Sequence, residues 1–438
     1  MKLKHIAPTP PMGWNSWDCY GATVREEEVI GNAEYMATHL LDYGWEYIVV
    51  DIQWYESQAV SSAYNAYFPL EMDEYSRLMP AVNRFPSAKD GQGFKALGDK
   101  IHALGLKFGI HIMRGIPRQA VHQNTPILGS TQTARDIAHH NSICPWNTDM
   151  YGINPHAEGA QSYYNSIFEL YASWGVDYVK VDDIAASHLY GIHTEEIKMI
   201  QKAIQNSGRE MVLSLSPGPA PLEHADLFKE YANVWRMTDD YWDKWHYLYG
   251  MFERCEKWAT HVEAGSWPDC DMLPLGHLGI RSVDGFWDEP PLPKGVMRDR
   301  MTRFTKDEQK TMMTLWCIFR SPLMFGGELR NNDDWTLSLL TNKELMKIPK
   351  VITQSTQISR DADLITWHAV AKGKNGQITD QYIALFNASE EEAIMTIDFN
   401  KFELTDRKIF DVWTGKLVDF KQITKFLIPK HGVTLIRI

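Results

Sequence analysis

The chain has 438 residues, which at roughly 100 to 200 residues per domain leaves room for two or three domains. Its 56 Asp and Glu residues outnumber its 44 Lys and Arg residues, giving a net charge of −12. This balance disfavours nucleic-acid binders and membrane-surface binders, because both classes need basic patches. The 16 Trp, 19 Tyr and 17 Phe residues suit either thick cores or a surface that stacks against apolar faces of a ligand.

Cysteine spacing and the absence of long apolar runs indicate the cellular compartment in which the protein is expected to reside. The five cysteines lie far apart without a Cys-x-x-Cys pair, so the sequence predicts neither a zinc motif nor a disulfide framework. The N-terminal residues contain no apolar run of signal-peptide length, and no stretch of about 18 apolar residues occurs in the chain. The sequence as it stands therefore predicts a cytoplasmic protein without a membrane partner.

Short apolar runs alternate with segments of helical periodicity through most of the chain, which is typical of βα units. The predicted strands, in chain order, are Met12 to Trp17, Tyr47 to Asp51, Leu106 to Met113, Asp177 to Asp182, Met211 to Ser216, Val234 to Thr238, Ala264 to Asp269 and Phe319 to Gly326. An open doubly wound sheet would usually carry a Gly-rich phosphate turn after its first strand, and none is present. We therefore predict a (β/α)8 TIM barrel.

The sequence pattern changes from about Thr353 onward. Five further short strands are predicted there, separated by turn residues: Leu364 to Val370, Tyr382 to Phe386, Ala393 to Phe399, Lys408 to Trp413 and Gly432 to Ile438. This pattern predicts a C-terminal antiparallel β-sandwich domain. We place the domains at 1–345, the catalytic barrel, and 346–438, the β-sandwich.

Side-chain alternation in the fourth predicted strand indicates a catalytic group. Val179 and Val181 suit the face that meets the helices, so Lys180 and Asp182 are expected to point into the barrel. They would lie near the carboxyl end of the strand, where active sites of this fold occur. An ion pair between them would favour the ionised acid, which makes Asp182 a candidate nucleophile.

Acids close other predicted strands in the same way. Asp51 ends the second strand, Asp269 and Asp271 follow the seventh, and alternation in the sixth places Arg236 and Asp240 together. Any one of these acids could be a helix N-cap. Several carboxylates from separate strands with aromatic neighbours are instead typical of a glycosidase, in which one carboxylate is the nucleophile or base and another protonates the leaving oxygen.

Several short sequence motifs occur one after another along the chain. They are Pro11 to Trp17, Arg84 to Pro86, Trp174 to Asp182, Trp267 to Leu273, Ser321 to Leu323, Asp411 to Gly415 and His431 to Val433. Together they resemble glycoside hydrolase family 27, which contains α-galactosidases and α-N-acetylgalactosaminidases. The resemblance implies a retaining exo-glycosidase without metal or cofactor. It would remove a terminal α-linked, galactose-configured sugar from an oligosaccharide or glycoside by double displacement.

The resemblance also implies roles for individual residues. The family's K-x-D nucleophile falls on Asp182, and the acid/base of its R-x-x-x-D motif falls on Asp240. Its substrate-binding positions fall on Trp17, Asp51, Trp54, Lys180 and Arg236, and Asp269 and Asp271 match its D-x-D motif. Cys144 lies where the family has a cysteine that lines the site, with simple burial as the alternative.

Three departures from the family pattern bear on the choice of sugar. Ile52 stands where the family commonly has a second acid, and His111 stands where it usually has tyrosine. Ser216 stands where α-galactosidases often have a glutamate for the substrate 2-hydroxyl, and its small size favours a pocket that accepts an acetamido group. α-Galactosidase and α-N-acetylgalactosaminidase both remain open, as do a β-L-arabinopyranosidase and a catalytically silent sugar-binding barrel. The sequence leaves the aglycone, the linkage and the oligomeric state undetermined.

Overall fold

The computed structural model describes residues 5–60, 64–283, 298–402, 408–419 and 421–438. Its larger part is a barrel of eight parallel strands that pair in the order β7-β6-β5-β4-β3-β2-β1-β8. The strands are β1 (Met12–Asn15), β2 (Tyr47–Val50), β3 (Lys107–Met113), β4 (Val176–Asp182), β5 (Val212–Leu215), β6 (Val234–Arg236), β7 (Trp267–Asp269) and β8 (Leu323–Phe325). Leu273, just beyond β7, forms a parallel bridge with Phe325 and closes the barrel.

Helices follow each strand and cover the outside of the barrel. They are α1 (Glu26–His39), α2 (Lys95–Ala103), α3 (Ala160–Ser173), α4 (Thr194–Ser207), α5 (Ala225–Tyr231), α6 (Trp245–Trp258), α7 (Lys306–Phe319), α8 (Asp334–Leu340) and α9 (Lys343–Val351). In α3 the buried Tyr163, Ile167 and Tyr171 recur every four residues, which gives the helix one apolar face toward the sheet. Thr305 begins α7 by accepting a hydrogen bond from the Glu308 amide at 3.3 Å.

Shorter elements lie in the loops between the main strands. The short helices are Trp17–Tyr20, Arg118–Gln123 and Ala134–Ile137. Ile116–Pro117, Ala138–Ile143 and Met150–Ile153 form a small sheet after β3, and His277–Leu278 pairs with Arg300–Met301 after β7. No helix in the described ranges is long and apolar enough to cross a membrane.

The barrel strands confirm the predicted order and the predicted alternation of faces. Val179 and Val181 belong to the large core between sheet and helices, whereas Tyr178 packs inside the barrel with residues such as Tyr47 and Trp267. Each observed strand is equal to or shorter than its prediction except β4, which begins one residue earlier, at Val176.

The C-terminal part is the predicted antiparallel β-sandwich. Its strands are β9 (Ile352–Asp361), β10 (Leu364–Lys372), β11 (Ile378–Asn387), β12 (Ala393–Asp398), β13 (Ile409–Asp411), β14 (Lys416–Val418), β15 (Ile423–Ile428) and β16 (Val433–Arg437). One sheet has the order β9-β10-β11-β16-β13-β14, and β12 pairs with β15. The sequence analysis missed β9, β14 and β15, because few of their side chains are buried. A division at 345/346, which stays a prediction, would cut through α9.

Candidate active site

A cavity of about 940 Å³ opens at the carboxyl ends of the barrel strands. Eight of the predicted site residues line it: Trp17, Asp51, His111, Lys180, Asp182, Arg236, Asp240 and Asp271. They come from β3, β4 and β6 and from the segments that follow β1, β2, β6 and β7. Parallel strands place their carboxyl ends at one edge of the sheet, and this brings together side chains that are more than 250 residues apart in the chain.

Three side chains form a continuous polar chain across the cavity floor. The His111 Nδ1 atom lies 2.6 Å from Asp51 Oδ1, and its Nε2 atom lies 3.3 Å from Asp182 Oδ2. Asp51 also accepts a hydrogen bond from Asn15 Nδ2 at 2.8 Å, and the Asp183 amide donates to Asp182 Oδ1 at 2.8 Å. His111 is therefore not a simple replacement for a sugar-binding residue, because its imidazole ring lies between two carboxylates.

Lys180 forms its ion pair with a different acid from the one predicted. Its Nζ atom lies 3.3 Å from Asp51 Oδ2, and no ion pair within 4 Å joins Lys180 to Asp182. The prediction of a Lys180–Asp182 pair was wrong because neighbouring inward positions on one strand project side by side, whereas the long Lys180 side chain reaches across β3 to Asp51, which follows β2. Lys180 nevertheless acts on Asp182 through its charge.

The cavity keeps Asp182 ionised although the side chain is largely buried. Burial acts to raise the pKa of Asp182, but the contact with His111, the charge of His111 and the charge of Lys180 together lower the pKa below its ordinary value. The pKa of His111 is raised, because the charge of Asp51 and the contacts with both acids outweigh the effect of burial. These shifts favour an aspartate anion beside an imidazolium.

The opposite wall of the cavity holds a second carboxyl group at an arginine. Arg236 Nη2 lies 3.0 Å from Asp240 Oδ1 and 3.0 Å from Asp271 Oδ2. The Asp240 side chain is 54% exposed, whereas the Arg236 side chain is only 4% exposed. Asp240 thus reaches solvent at the rim, where a leaving group would depart, while Arg236 fixes its orientation from below.

Asp269, Trp54, Cys144 and Ser216, which were also predicted as site residues, do not line the described cavity. Asp269 is buried, accepts a hydrogen bond from the Asp271 amide at 2.9 Å, and has a pKa raised to about 7 by burial and by the charge of Asp271. Trp54 is fully buried and donates from Nε1 to the His111 carbonyl at 2.8 Å, so it holds β3 rather than stacking on a ligand.

Burial also removes Cys144 and Ser216 from the cavity wall. Cys144 is 6% exposed, and burial raises the pKa of its thiol. Ser216 is 1% exposed, and its amide donates to the Val181 carbonyl at 2.9 Å in continuation of the β4–β5 pairing. Pro217, the next residue, forms the wall instead. The small size of Ser216 therefore creates no space at the cavity surface.

The sequence analysis missed several residues that line the cavity. Trp17 packs against Tyr64 with ring centroids 6.3 Å apart, and Tyr64 packs against Trp146 at 5.6 Å. All three rings face the cavity and offer apolar surface to the C–H face of a sugar. Tyr64 and Trp146 lie in long loops, and the only signal available was the local abundance of aromatic residues. Asp18, His188, Asp239 and Trp242 also line the cavity.

This arrangement can support acid/base and nucleophilic chemistry at one sugar ring. One carboxylate is held ionised on the floor, a second carboxyl group lies at the exposed rim, and charged groups and aromatic rings surround the space between them. Asp51, Lys180 and Arg236 can bind ring hydroxyls.

Comparisons with known proteins agree with this chemistry. Residues 147–287 match the family model described as "Alpha galactosidase A", and residues 364–438 match "Alpha galactosidase C-terminal beta sandwich domain". Among curated proteins, alpha-galactosidase A of Cellvibrio japonicus is 28% identical over 466 residues, covering 100% of this chain and 93% of that protein.

Solved structures provide stronger similarity. A GH27 β-L-arabinopyranosidase from Geobacillus stearothermophilus is 61% identical with a TM-score of 0.94, covering 100% of this chain and 98% of that one. A variant of the same Geobacillus enzyme was solved in complex with arabinose. A protein from Bacillus halodurans C-125, provisionally described as an alpha-N-acetylgalactosaminidase, is 57% identical with a TM-score of 0.85, covering 98% of this chain and 96% of that one.

Proposed function

Because the chain belongs to glycoside hydrolase family 27, we propose that it is a retaining exo-glycosidase that prefers terminal β-L-arabinopyranosides. Asp182 is the nucleophile and Asp240 the general acid/base in this proposal. The ionised state of Asp182 and the exposure of Asp240 at the rim support these two roles.

Two displacements at the anomeric carbon account for hydrolysis. In the first, an Asp182 oxygen bonds to the anomeric carbon while the bond to the leaving oxygen breaks and Asp240 gives that oxygen its proton. In the second, water attacks the anomeric carbon, Asp240 takes a proton from the water, and Asp182 leaves as a carboxylate. The released sugar keeps its anomeric configuration.

The preferred sugar is inferred from one residue, Ile52. L-Arabinopyranose has the ring configuration of galactose but lacks the hydroxymethyl group. Ile52 lines the cavity directly after Asp51, and only 1% of its surface is exposed. A branched apolar side chain offers no hydrogen bond to a hydroxymethyl group and would leave its hydroxyl unpaired. It packs well against a sugar that carries only a methylene at this position.

α-Galactoside hydrolysis is the second candidate function. Asp51, Lys180 and Arg236 face the cavity and can bind the hydroxyls that galactose and arabinopyranose share. The main argument for a pocket that accepts an acetamido group at the sugar 2-position was the small size of Ser216. That argument no longer applies, because Ser216 is buried behind Pro217. We therefore rank N-acetylgalactosaminides below both other sugars.

Initial rates on three 4-nitrophenyl glycosides test this proposal. We expect kcat/KM to fall in the order β-L-arabinopyranoside, α-D-galactopyranoside, N-acetyl-α-D-galactosaminide. An equal or greater kcat/KM for the galactoside would overturn the preference assigned to Ile52. No turnover of any of the three by the pure protein would favour a silent sugar-binding barrel.

A further inference from the structure

A second cavity, of about 1400 Å³, lies beside the candidate active site. The two cavities are lined by the same two chain segments: Tyr64 and Trp146 line the first, and Tyr67 and Tyr151 line the second. Three residues of extended chain span at most about 11 Å, so Tyr64 and Tyr67 cannot be farther apart than that between their Cα atoms. The two cavities are therefore neighbours, with residues 64–67 extending from one to the other.

The second cavity presents aromatic rings to solvent. The Tyr67 side chain is 71% exposed, and its backbone has a φ of 59°, a conformation that is unusual for a bulky residue. The Tyr67 amide donates to Thr148 Oγ1 at 2.7 Å, which joins the two chain segments. Solvent-exposed aromatic rings held by a defined backbone suit contact with the apolar face of a sugar.

Two guanidinium groups in this cavity have no carboxylate partner. Arg118 lies between Tyr67 and Tyr151, with its central carbon 5.4 Å and 4.1 Å from the ring centroids, and its Nε atom donates to the Thr148 carbonyl at 2.9 Å. Arg135 donates only to backbone carbonyl oxygens, from Nε at 2.9 Å and from Nη2 at 2.6 Å. Within the described part of the chain, neither arginine has a carboxylate within 4 Å.

Asp149 is the one acid among the residues that line this cavity; Arg118 acts on it through its charge, but the carboxylate forms its hydrogen bonds with other residues. It is 3% exposed, and its Oδ2 atom accepts hydrogen bonds from Gln53 at 2.6 Å and from Tyr55 at 2.9 Å. The protein as a whole carries a net charge of −12. A cavity with two guanidinium groups that lack a carboxylate partner therefore differs in the sign of its charge from the protein as a whole. Arginine binds a carboxylate through two parallel hydrogen bonds, and a sugar acid would supply such a group.

We propose that the second cavity binds a carboxylate-bearing sugar unit, a uronate, in the leaving-group chain of the glycoside. Arg118 and Arg135 bind the carboxylate, and Tyr67 contacts the sugar ring. This proposal rests on the proposed function, since the terminal sugar occupies the first cavity while the second holds a unit nearer the reducing end.

Calorimetric titration with two trimers tests the site: trigalacturonate, which carries carboxylates, and neutral galactotriose. We expect trigalacturonate to bind the wild-type protein at least about tenfold more tightly than galactotriose, with an affinity that falls as sodium chloride rises. The double variant Arg118→Gln/Arg135→Gln should weaken trigalacturonate binding by about tenfold or more. Arg360→Gln is the matched control, because Arg360 also donates to a backbone carbonyl and lies over a tyrosine ring, but in the sandwich.

Hydrolysis of 4-nitrophenyl β-L-arabinopyranoside, which has no sugar in its leaving group, serves as the folding check. Its kcat/KM should stay within about twofold in the double variant, since neither arginine lines the first cavity. Should the double variant fail to fold, Arg135→Gln alone, at an exposed side chain, replaces it. Absence of trigalacturonate binding, equal binding of the neutral trimer, or unchanged binding in the variant would each overturn the proposal. Failure of the proposed function would instead appear in the glycoside panel and leave the titration unaffected.

Discussion

His111 determines the electrostatics of the candidate active site at the scale of single residues. Its ring contacts Asp51 on one side and Asp182 on the other, and almost none of it is exposed to solvent. Two buried carboxylates this close to one another would disfavour full ionisation if nothing positive lay between them. The positive charges of the His111 imidazolium and of Lys180 offset this repulsion, so Asp182 can remain charged although it is largely buried.

Replacing His111 by Phe should shift the acidic limb of the pH–activity profile. The substitution removes the contact and the charge that lower the pKa of Asp182, while burial, which raises it, remains. Asp51 then adds a further negative charge that only Lys180 offsets. Because Asp182 must be ionised to attack, the fall in kcat/KM on acidification should begin at a higher pH. Profiles of wild-type and variant enzymes on one 4-nitrophenyl glycoside report this, and coincident acidic limbs would contradict it.

Removing either proposed catalytic carboxyl group should produce distinct azide products. Asp182→Gly and Asp240→Gly should each lower kcat/KM by about 100-fold or more. In the first variant azide replaces the nucleophile and displaces the leaving group once, giving a glycosyl azide of inverted configuration. In the second, azide attacks the glycosyl-enzyme, giving the retained configuration. Proton NMR of the products distinguishes the two, and the same anomer from both variants would refute the assignment.

Ile52→Asp should shift the sugar preference toward galactose. An aspartate at this position can accept a hydrogen bond from the hydroxymethyl group, an interaction worth on the order of 1 to 3 kcal/mol. The ratio of kcat/KM for α-galactoside to that for β-L-arabinopyranoside should therefore rise by about tenfold or more. Ile52→Val, which keeps the apolar surface, is the matched control and should leave the ratio nearly unchanged. If the ratio changed equally in both variants, the change in side-chain volume, and not the new hydrogen bond, would be the cause.

The turn after β4 is fixed by neighbouring elements rather than by its own strand. Asp183 has a left-handed backbone, with φ of 54°, and this conformation directs its amide to the Asp182 carboxylate. Arg114, which follows β3, donates from Nε to the Asp183 carbonyl at 2.6 Å and lies 2.9 Å from its carboxylate. Arg114 also reaches Glu196 of α4 at 3.1 Å. The nucleophile thus depends on an ion-pair network behind the cavity.

Arg114→Ala should destabilise this network in a pH-dependent way. It leaves the Asp183 and Glu196 carboxyl groups buried without their cation, a change that typically costs about 3 to 5 kcal/mol. Burial already raises the pKa of Asp183 to about 6 from 3.8, so between those values the folded state holds a proton that the unfolded state releases. Stability from this group is therefore present at low pH and lost as pH rises to about 6.

Without Arg114 the Asp183 pKa should rise further, since the arginine lowers it. The loss in free energy of unfolding should therefore be larger at neutral pH than at mildly acidic pH. Urea unfolding of wild-type and variant proteins at both pH values measures this difference, and Arg114→Lys, which keeps the charge, should lose less. An equal loss at both pH values would show that the network contributes through packing alone.

At the scale of the whole molecule, the barrel and the sandwich share one hydrophobic core. Phe252 of α6 packs edge-on against Phe386 of β11 with centroids 5.1 Å apart, and Phe319 of α7 approaches Trp367 of β10 at 6.4 Å. Trp413 donates from Nε1 to Thr314 Oγ1 at 3.0 Å. The sandwich therefore completes the burial of α6 and α7, and Trp258 of α6 in turn packs against Trp235 of β6, the strand that carries Arg236.

Phe386→Ala should destabilise the whole chain rather than the sandwich alone. Truncating a buried phenylalanine typically costs about 3 to 5 kcal/mol, and here the void would open between the two parts. Calorimetry should show one unfolding transition, displaced to lower temperature. Ile394→Ala, on a side chain that is 61% exposed in β12, is the control and should change stability by less than about 0.5 kcal/mol. A second, separate transition in the Phe386 variant would mean that the two parts unfold independently.

Sequence patterns alone predicted the order of the barrel strands and the inward direction of Asp51, Lys180 and Asp182. Both follow from local rules: apolar runs mark buried strands, and side chains alternate strictly between two faces. Alternation in the sixth strand also placed Arg236 and Asp240 together, and their Nη2 and Oδ1 atoms lie 3.0 Å apart. The edge strand β9 escaped detection because its polar side chains have no apolar period to reveal it.

Packing between distant parts of the chain sets which inward residues meet and which reach the cavity. Lys180 of β4 pairs with Asp51, which follows β2, across the intervening β3, a relation that spacing along one strand does not encode. Trp54 and Ser216 carry suitable chemistry but are buried behind the wall, while Tyr64 and Trp146 reach it from separate loops. Loop paths depend on packing between distant segments, so no local pattern in the sequence specifies them.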